Sequence, residues 1–200
     1  IISVAFMMLY EEGHFELTDP LYRHLPAFKD MKVAQFDPEN PGKIDEVPAK
    51  NPITLEHLLS HQAGFLHGLS NAPLDVRYRK ALYGENYTTA VHETIEDRAM
   101  ALRTLPLVGE PGEQWMYSAA PDVLALLIEK FSGMTTAEFL QKRIFDPLGM
   151  GNTGYNLTAQ QAERIAGLHL KDQEKTVSYS PRQTPTSGNT IFGGTHGLFS

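Results

Sequence analysis

Residues 111–118, Pro-Gly-Glu-Gln-Trp-Met-Tyr-Ser, hold the side chain best suited to chemistry in this chain, the phenol of Tyr117. A proline-glycine turn precedes it, and an apolar run with helical spacing follows at once. A tyrosine at such a junction can point its hydroxyl into a cleft. There, in electropositive surroundings, a phenolic oxygen can act as a general base. Trp115 lies two residues earlier. Taken alone, the pair also reads as an aromatic plug that seals the end of a helical layer, because most such aromatics pack.

His57 and His61 form a second candidate. Four residues apart on a helix, they could share one face. A zinc-protease helix needs Glu directly after its first His, and Leu58 stands there instead. The simpler reading is that His61 hydrogen-bonds the loop that follows. No metal site is expected. No G-x-S-x-G, P-loop or dinucleotide glycine fingerprint occurs. The pair Gly193-Gly194 lacks the clear flanking strand and helix of a phosphate cradle. No cofactor is expected.

Composition narrows the class further. Hydrophobic residues make up 42% and charged residues 20%, which suits a globular chain with a real core. A net charge of −7, with no basic cluster and no interleaving of aromatic and basic residues, argues against nucleic-acid binding. The absence of cysteine excludes a disulfide framework, a thiolate zinc site and a cysteine nucleophile. It leaves the compartment open between cytoplasm and export. No apolar run approaches the ~18 residues of a membrane-spanning helix. The segment from Ile1 to Leu9 has no basic lead and no small-residue cleavage site. With Ile1 in first place and no cap before the first helix, the expectation is a piece of a longer chain.

Several elements must position these residues. Residues 1–12 read as a helix with Ile1, Val4, Ala5, Met8 and Leu9 on its inner face and Gly13 as C-cap. Leu17 to Pro20 is a turn or helix start. Residues 26–52, with five prolines, read as an irregular connection. Thr54 caps a helix from Leu55 to His61 that ends at Gly64. Residues 73–83 and 89–104 are further helices, the second with a charged face of Glu93, Glu96, Asp97 and Arg98. Gly109 to Gly112 is a tight loop. Ser118 is expected to cap a helix that tolerates Pro121 early and stops at Gly133. Thr135 caps the next, with Phe139, Leu140 and Ile144 inward, ending before Pro147. Leu157 to Arg164 reads as a helix, 166–179 as a short hairpin, and the last twenty residues as loop. Helices dominate, and the strands are too few for a sheet that stands alone.

Five segments, in order, resemble motifs of one family. Ile1 to Gly13 resembles the helix just after the lysine of an S-x-x-K motif. His57 to Gly64, HLLSHQAG, resembles "HLLTHTSG". Pro111 to Ser118 resembles "PGE-x-W-x-YS". Phe145 to Met150 with Thr153-Gly154 resembles "DPLGM…TG", and Gly193 to Ser200 resembles "GG-x-GL-x-S". The family is the serine β-lactamase and penicillin-binding-protein superfamily. The resemblance implies an α/β (α+β) β-lactamase/transpeptidase-like fold, with residues 1–200 as a partial domain: mostly its helical part with little of the antiparallel sheet.

It also implies a mechanism. The family's nucleophile is the serine of S-x-x-K, its lysine assists proton transfer, and a tyrosine in the second motif completes the set. Tyr117 matches that tyrosine, and as a phenolate beside the lysine it would accept the serine proton during acylation. Trp115, Phe65 and Phe192 are substrate-binding candidates from their nearness to the motifs. Two departures matter. The β-lactamase and peptidase branches read Y-x-N here, whereas this chain has Tyr117-Ser118-Ala119, which looks more like the family VIII carboxylesterases. No serine in the chain begins S-x-x-K, so the nucleophile is expected just before Ile1 and the third motif after Ser200. The intact parent is thus expected to be a carboxylesterase-type serine hydrolase taking small esters or lactams, and residues 1–200 alone to be inactive. A β-lactamase or D-Ala-D-Ala peptidase is the alternative within the family. A catalytically dead binding module is the alternative of another class.

Overall fold

Threonine caps set the starts of many helices. Thr54, Thr94, Thr135 and Thr158 each accept a hydrogen bond from the backbone N–H three residues on. The side chains of His57, Asp97, Glu138 and Gln161 reach back to the cap in turn. Such reciprocal caps satisfy two orphan donors, and a single cap is worth about 0.5–2 kcal/mol. The computed structural model describes residues 1–40, 42–84, 91–171, 177–180 and 185–200. Among them the helices are α1 (Ile2–Glu11), α2 (Leu21–His24), α3 (Leu55–Leu59), α4 (Pro73–Tyr83), α5 (Ile95–Ala101), α6 (Ala120–Ser132), α7 (Thr136–Leu140) and α8 (Ala159–Ala162). Two antiparallel hairpins accompany them: β1 (Lys32–Phe36) with β2 (Ile44–Pro48), and β3 (Leu168–Lys171) with β4 (Val177–Ser180).

Helix α6 is the centre. Every residue from Asp122 to Ile128 is buried, as a helix enclosed on all sides requires. Helices α1, α3, α5 and α7 pack around it. Pro121 sits in the first turn and Gly133 ends the helix with φ of 68°, as expected. Helix α1 buries Ile2, Ala5, Phe6 and Leu9, whereas Val4 and Ile1 are exposed. The inner face is therefore rotated from the expected one. The cause is Phe6, whose ring stacks on Phe15 at 4.2 Å and approaches Phe131 of α6 at 6.4 Å.

Other boundaries also moved. Residues 26–52 contain a 3-10 turn (Pro26–Phe28) and the β1–β2 hairpin rather than an irregular connection. A distant segment supplies the missing partner: Ala34 N–H donates to Leu107 O at 2.8 Å, and Leu107 N–H donates to Lys32 O at 2.7 Å. The α3 helix is shorter than expected and ends at Leu59. Helix α5 starts at the Thr94 cap rather than at 89, and residues 89–90 lie outside the described residues. The helix of Leu157 to Arg164 is one turn. The hairpin at 166–179 is present, its connection 172–176 lying outside the described residues. Phe139, Leu140 and Ile144 are buried as expected, α7 running on into a π-helical turn (Gln141–Phe145).

One buried ion pair ties this helical layer to the C-terminal glycine segment. Arg98 of α5 was expected on a charged surface, yet its side chain is only 4% exposed, and that of Asp122 is fully buried. Arg98 Nε lies 2.9 Å from Asp122 Oδ2, in charge contact without an aligned hydrogen bond. Asp122 Oδ1 accepts the N–H groups of Gly194 at 2.8 Å and Thr195 at 3.1 Å, and the Thr195 hydroxyl at 2.9 Å. Arg98 donates to Thr195 Oγ1 at 3.0 Å and faces the His196 ring nitrogens at 3.2 and 3.4 Å. Asp122 also lies in the first turn of α6, where the helix dipole favours an anion. The approach is so close that a Cβ on Gly194 would overlap the Pro121 carbonyl oxygen. A Cβ on Gly193 would meet Asp122 Oδ1 at 3.0 Å.

Gly194→Ala in the full-length protein is therefore expected to cost at least the ~1–3 kcal/mol of an overpacked site. Chemical denaturation measures this, and an unchanged midpoint would contradict the close approach. Acid stability follows from the histidines. Desolvation, and then the Arg98 guanidinium, hold His196 down to about 4 although it is partly exposed. Burial also lowers His57, His61 and His67. The folded state then binds fewer protons than the unfolded state between about 4 and the usual histidine value of 6.5. Stability should be full above that window and fall as pH drops through it. Thermal unfolding midpoints at several pH values should show this decline, shallower for His196→Asn. Identical slopes for the two proteins would refute the assignment.

Candidate active site

Tyr117 sits on the segment between α5 and α6, and that segment is pinned by backbone hydrogen bonds to the run 61–66. Val108 N–H donates to Gly64 O at 2.8 Å, Gly112 to Gln62 at 2.9 Å, Met116 to His61 at 2.9 Å and Ala119 to Leu66 at 3.2 Å. Gly112 is required at the turn. Its φ is 87°, and a Cβ would meet His57 Nε2 at 2.9 Å. The "HLLSHQAG" and "PGEQWMYS" segments are thus two sides of one local structure.

His61 holds the end that carries the tyrosine. It has left α3 and adopts a positive φ of 56°, a conformation uncommon for a residue with a side chain. Its Nδ1 lies 2.9 Å from Ser118 Oγ. His57 instead serves the helix start, where Nδ1 accepts the Thr54 N–H at 3.2 Å. The two imidazoles do not share a helix face, because α3 stops before His61. The partner of His61 lies 57 residues on, not in the loop directly after it. Nor does Ser118 cap α6. The cap position is Ala119, without a side-chain bond, and Ser118 Oγ accepts Ala120 N–H at 3.3 Å. Among the described residues, no group of three His, Cys, Asp or Glu side chains could hold a metal ion.

Tyr117 is 48% exposed. One neighbour is His67, stacked at 5.4 Å with only 10° between planes. The other is His61, tilted at 5.4 Å and 31°. Trp115 is 63% exposed and meets the His61 ring edge-on at 6.1 Å. The hydrogen bonds and ring contacts therefore bring Tyr117, Trp115, His61 and His67 together. Phe65 is fully buried, edge-on to Phe28 at 6.1 Å, and belongs to the core behind the segment. Phe192 is half-buried on Tyr155 at 5.3 Å, and the Tyr155 hydroxyl donates to Gly193 O at 2.7 Å. A cavity of about 510 Å³, lined in part by Gln161, Arg164 and Ser200, includes none of these four candidates.

Sequence reasoning did not single out His67 or the Arg98–Asp122 pair. Asp122 carried a signal, as an acid in the first turn of a predicted helix. His67 and Arg98 carried none, since their partners are distant in the chain.

Residues 1–200 match the family model described as Beta-lactamase. The chain is 32% identical over 206 residues to a lovastatin esterase of Penicillium rubens, covering 100% of this chain and 49% of the relative. It is 26% identical over 200 residues to a putative D-alanyl-D-alanine carboxypeptidase of Salmonella typhimurium, covering 97% of this chain and 40% of that one. The solved simvastatin synthase of Aspergillus terreus superposes with a TM-score of 0.77 at 22% identity, covering 100% of this chain and 48% of that structure. That likeness shows the fold, which is β-lactamase/transpeptidase-like. The chain spans about half the length of the curated relatives it matches. The motif pair that pins Tyr117, the shared fold and the match from residue 1 to residue 200 place this chain in the beta-lactamase family.

Proposed function

We propose that the protein containing this chain is a carboxylesterase-type serine hydrolase that cleaves small esters through an acyl-enzyme. The observation that carries the reading is Tyr117, held half-exposed on a pinned segment and followed by Ser118-Ala119 in a beta-lactamase family chain. The nucleophile is assigned to a serine of an S-x-x-K motif outside residues 1–200. Serine is a weak nucleophile until a base takes its proton. Tyr117 is assigned that role: as a phenolate, its oxygen accepts the proton while the serine oxygen attacks the ester carbonyl. The tetrahedral intermediate collapses, and the leaving alkoxide takes that proton from the Tyr117 phenol. Water then attacks the acyl-enzyme by the reverse sequence.

Ala119 supports esters over amides. It is fully buried at the start of α6, its N–H on Leu66 O, so it offers no side-chain amide to a lactam or peptide. An ester also needs less help, because an alkoxide leaves more easily than an amine. The lovastatin esterase resemblance points the same way. Trp115 and Phe192 are assigned to substrate contact, and Phe65, fully buried, is core behind the segment. The substrate partner is a small molecule. No described helix is long and apolar enough to cross a membrane.

In the full-length protein, Tyr117→Phe should lower acylation of a short-chain aryl ester by roughly two to four orders of magnitude. Burst kinetics reads this, and near-native rates would reduce Tyr117 to a packing residue. Wild-type protein should turn over the aryl ester far faster than a chromogenic cephalosporin, and the opposite order would return the reading to a β-lactamase or peptidase. Residues 1–200 expressed alone should take up no fluorophosphonate label, measured by mass spectrometry. A labelled serine within them would overturn the assignment of the nucleophile.

A further inference from the structure

Three rings and one cation form a continuous stack between the buried ion pair and Tyr117. Arg98 Cζ lies 4.8 Å from the centroid of Tyr83. Tyr83 stacks on His67 at 5.5 Å and 24°, its hydroxyl 3.4 Å from both imidazole nitrogens. His67 stacks on Tyr117 at 5.4 Å and 10°. The four residues come from four separate segments: α5, the end of α4, the run after α3 and the run before α6. Tyr83 is buried and Arg98 is held by Asp122, so the inner end of the stack is rigid. The outer end is Tyr117, half-exposed and free of enclosing core.

The backbone bonds at Met116 and Ala119 place the Tyr117 main chain, but they leave the side-chain torsions to be set by neighbours. The His67 plane, nearly parallel to the phenol ring, supplies the stacked face of that restraint, and the His61 ring lies tilted against the phenol at 5.4 Å. We propose that His67 is a positioning residue, which orients the Tyr117 ring toward the reacting serine without touching substrate. This rests on the reading of Tyr117 as the base. Burial lowers the proton affinity of His67 despite the nearby Asp122.

The test uses the full-length protein and a short-chain aryl ester, with H67L, H67F, Y117F and the H67L/Y117F double variant. Misplacing a reacting group by an ångström can cost on the order of a hundredfold. H67L should lower kcat by about ten- to a hundredfold with KM changed by less than about threefold. H67F keeps a flat ring and should recover most of that rate. The double variant should be no slower than Y117F alone, because the positioned group is already lost. Thermal unfolding of each variant establishes that it is folded. If H67L does not fold, H67N replaces it as the variant without a stacking ring of similar shape.

Native rates in H67L beside a crippled Y117F would overturn the role of His67 and leave the Tyr117 reading intact. Native rates in Y117F would overturn both. A folded H67F as slow as H67L, or a double variant with additive losses, would refute positioning through the stack.

Discussion

The contact between Arg98 and Asp122 is the constraint on which the rest of the structure depends. A buried charge left without its partner costs about 3–5 kcal/mol, so the two must stay together. Their union fixes α5 against the first turn of α6. The carboxylate then has capacity left, and it takes the Gly194 and Thr195 N–H groups and the Thr195 hydroxyl. The chain of residues 193–196 is thereby held on the end of α6, close to the residues that precede that helix.

The same constraint reaches the candidate site by two routes. Along the backbone, fixing the start of α6 fixes Ala119, whose N–H is bonded to Leu66 O. Through side chains, the Arg98 guanidinium covers Tyr83, which covers His67, which covers Tyr117. A tyrosine on a loop surface would ordinarily sample several rotamers. Here the loop is bonded to its neighbour at 108, 112, 116 and 119, and the ring has histidine neighbours. Pre-organised placement of this kind is what general-base chemistry needs.

Much of the fold was legible because the signals were local. A threonine followed three residues later by a residue able to bond back, as at 54, 94, 135 and 158, marks a helix start regardless of surroundings. The Pro121 and Gly133 boundaries of α6 are local in the same sense. The β1–β2 hairpin was missed because its outer partner is Leu107, some seventy residues away, and its prolines read as punctuation. The face of α1 was misplaced because Phe6 finds Phe15 and Phe131, which periodicity does not contain. Arg98 was placed on the surface because an arginine among acids normally belongs there. Ser118 was expected to cap α6, yet its hydroxyl binds His61 and the helix starts later.

The amino-acid sequence alone determined the family, through motifs in order, and with it the fold class and the identity of Tyr117 as the chemical candidate. It determined helix starts and stops wherever a cap or a glycine acts within one turn. The tertiary structure decided which side chains surround Tyr117, that Phe65 is core, and that Gly193-Gly194 is glycine to let a backbone lie against α6. The physical reason is range. Caps and turns are satisfied by atoms a few residues away, whereas a buried charge, a ring stack and a close backbone approach are satisfied by whatever the folded chain brings to them.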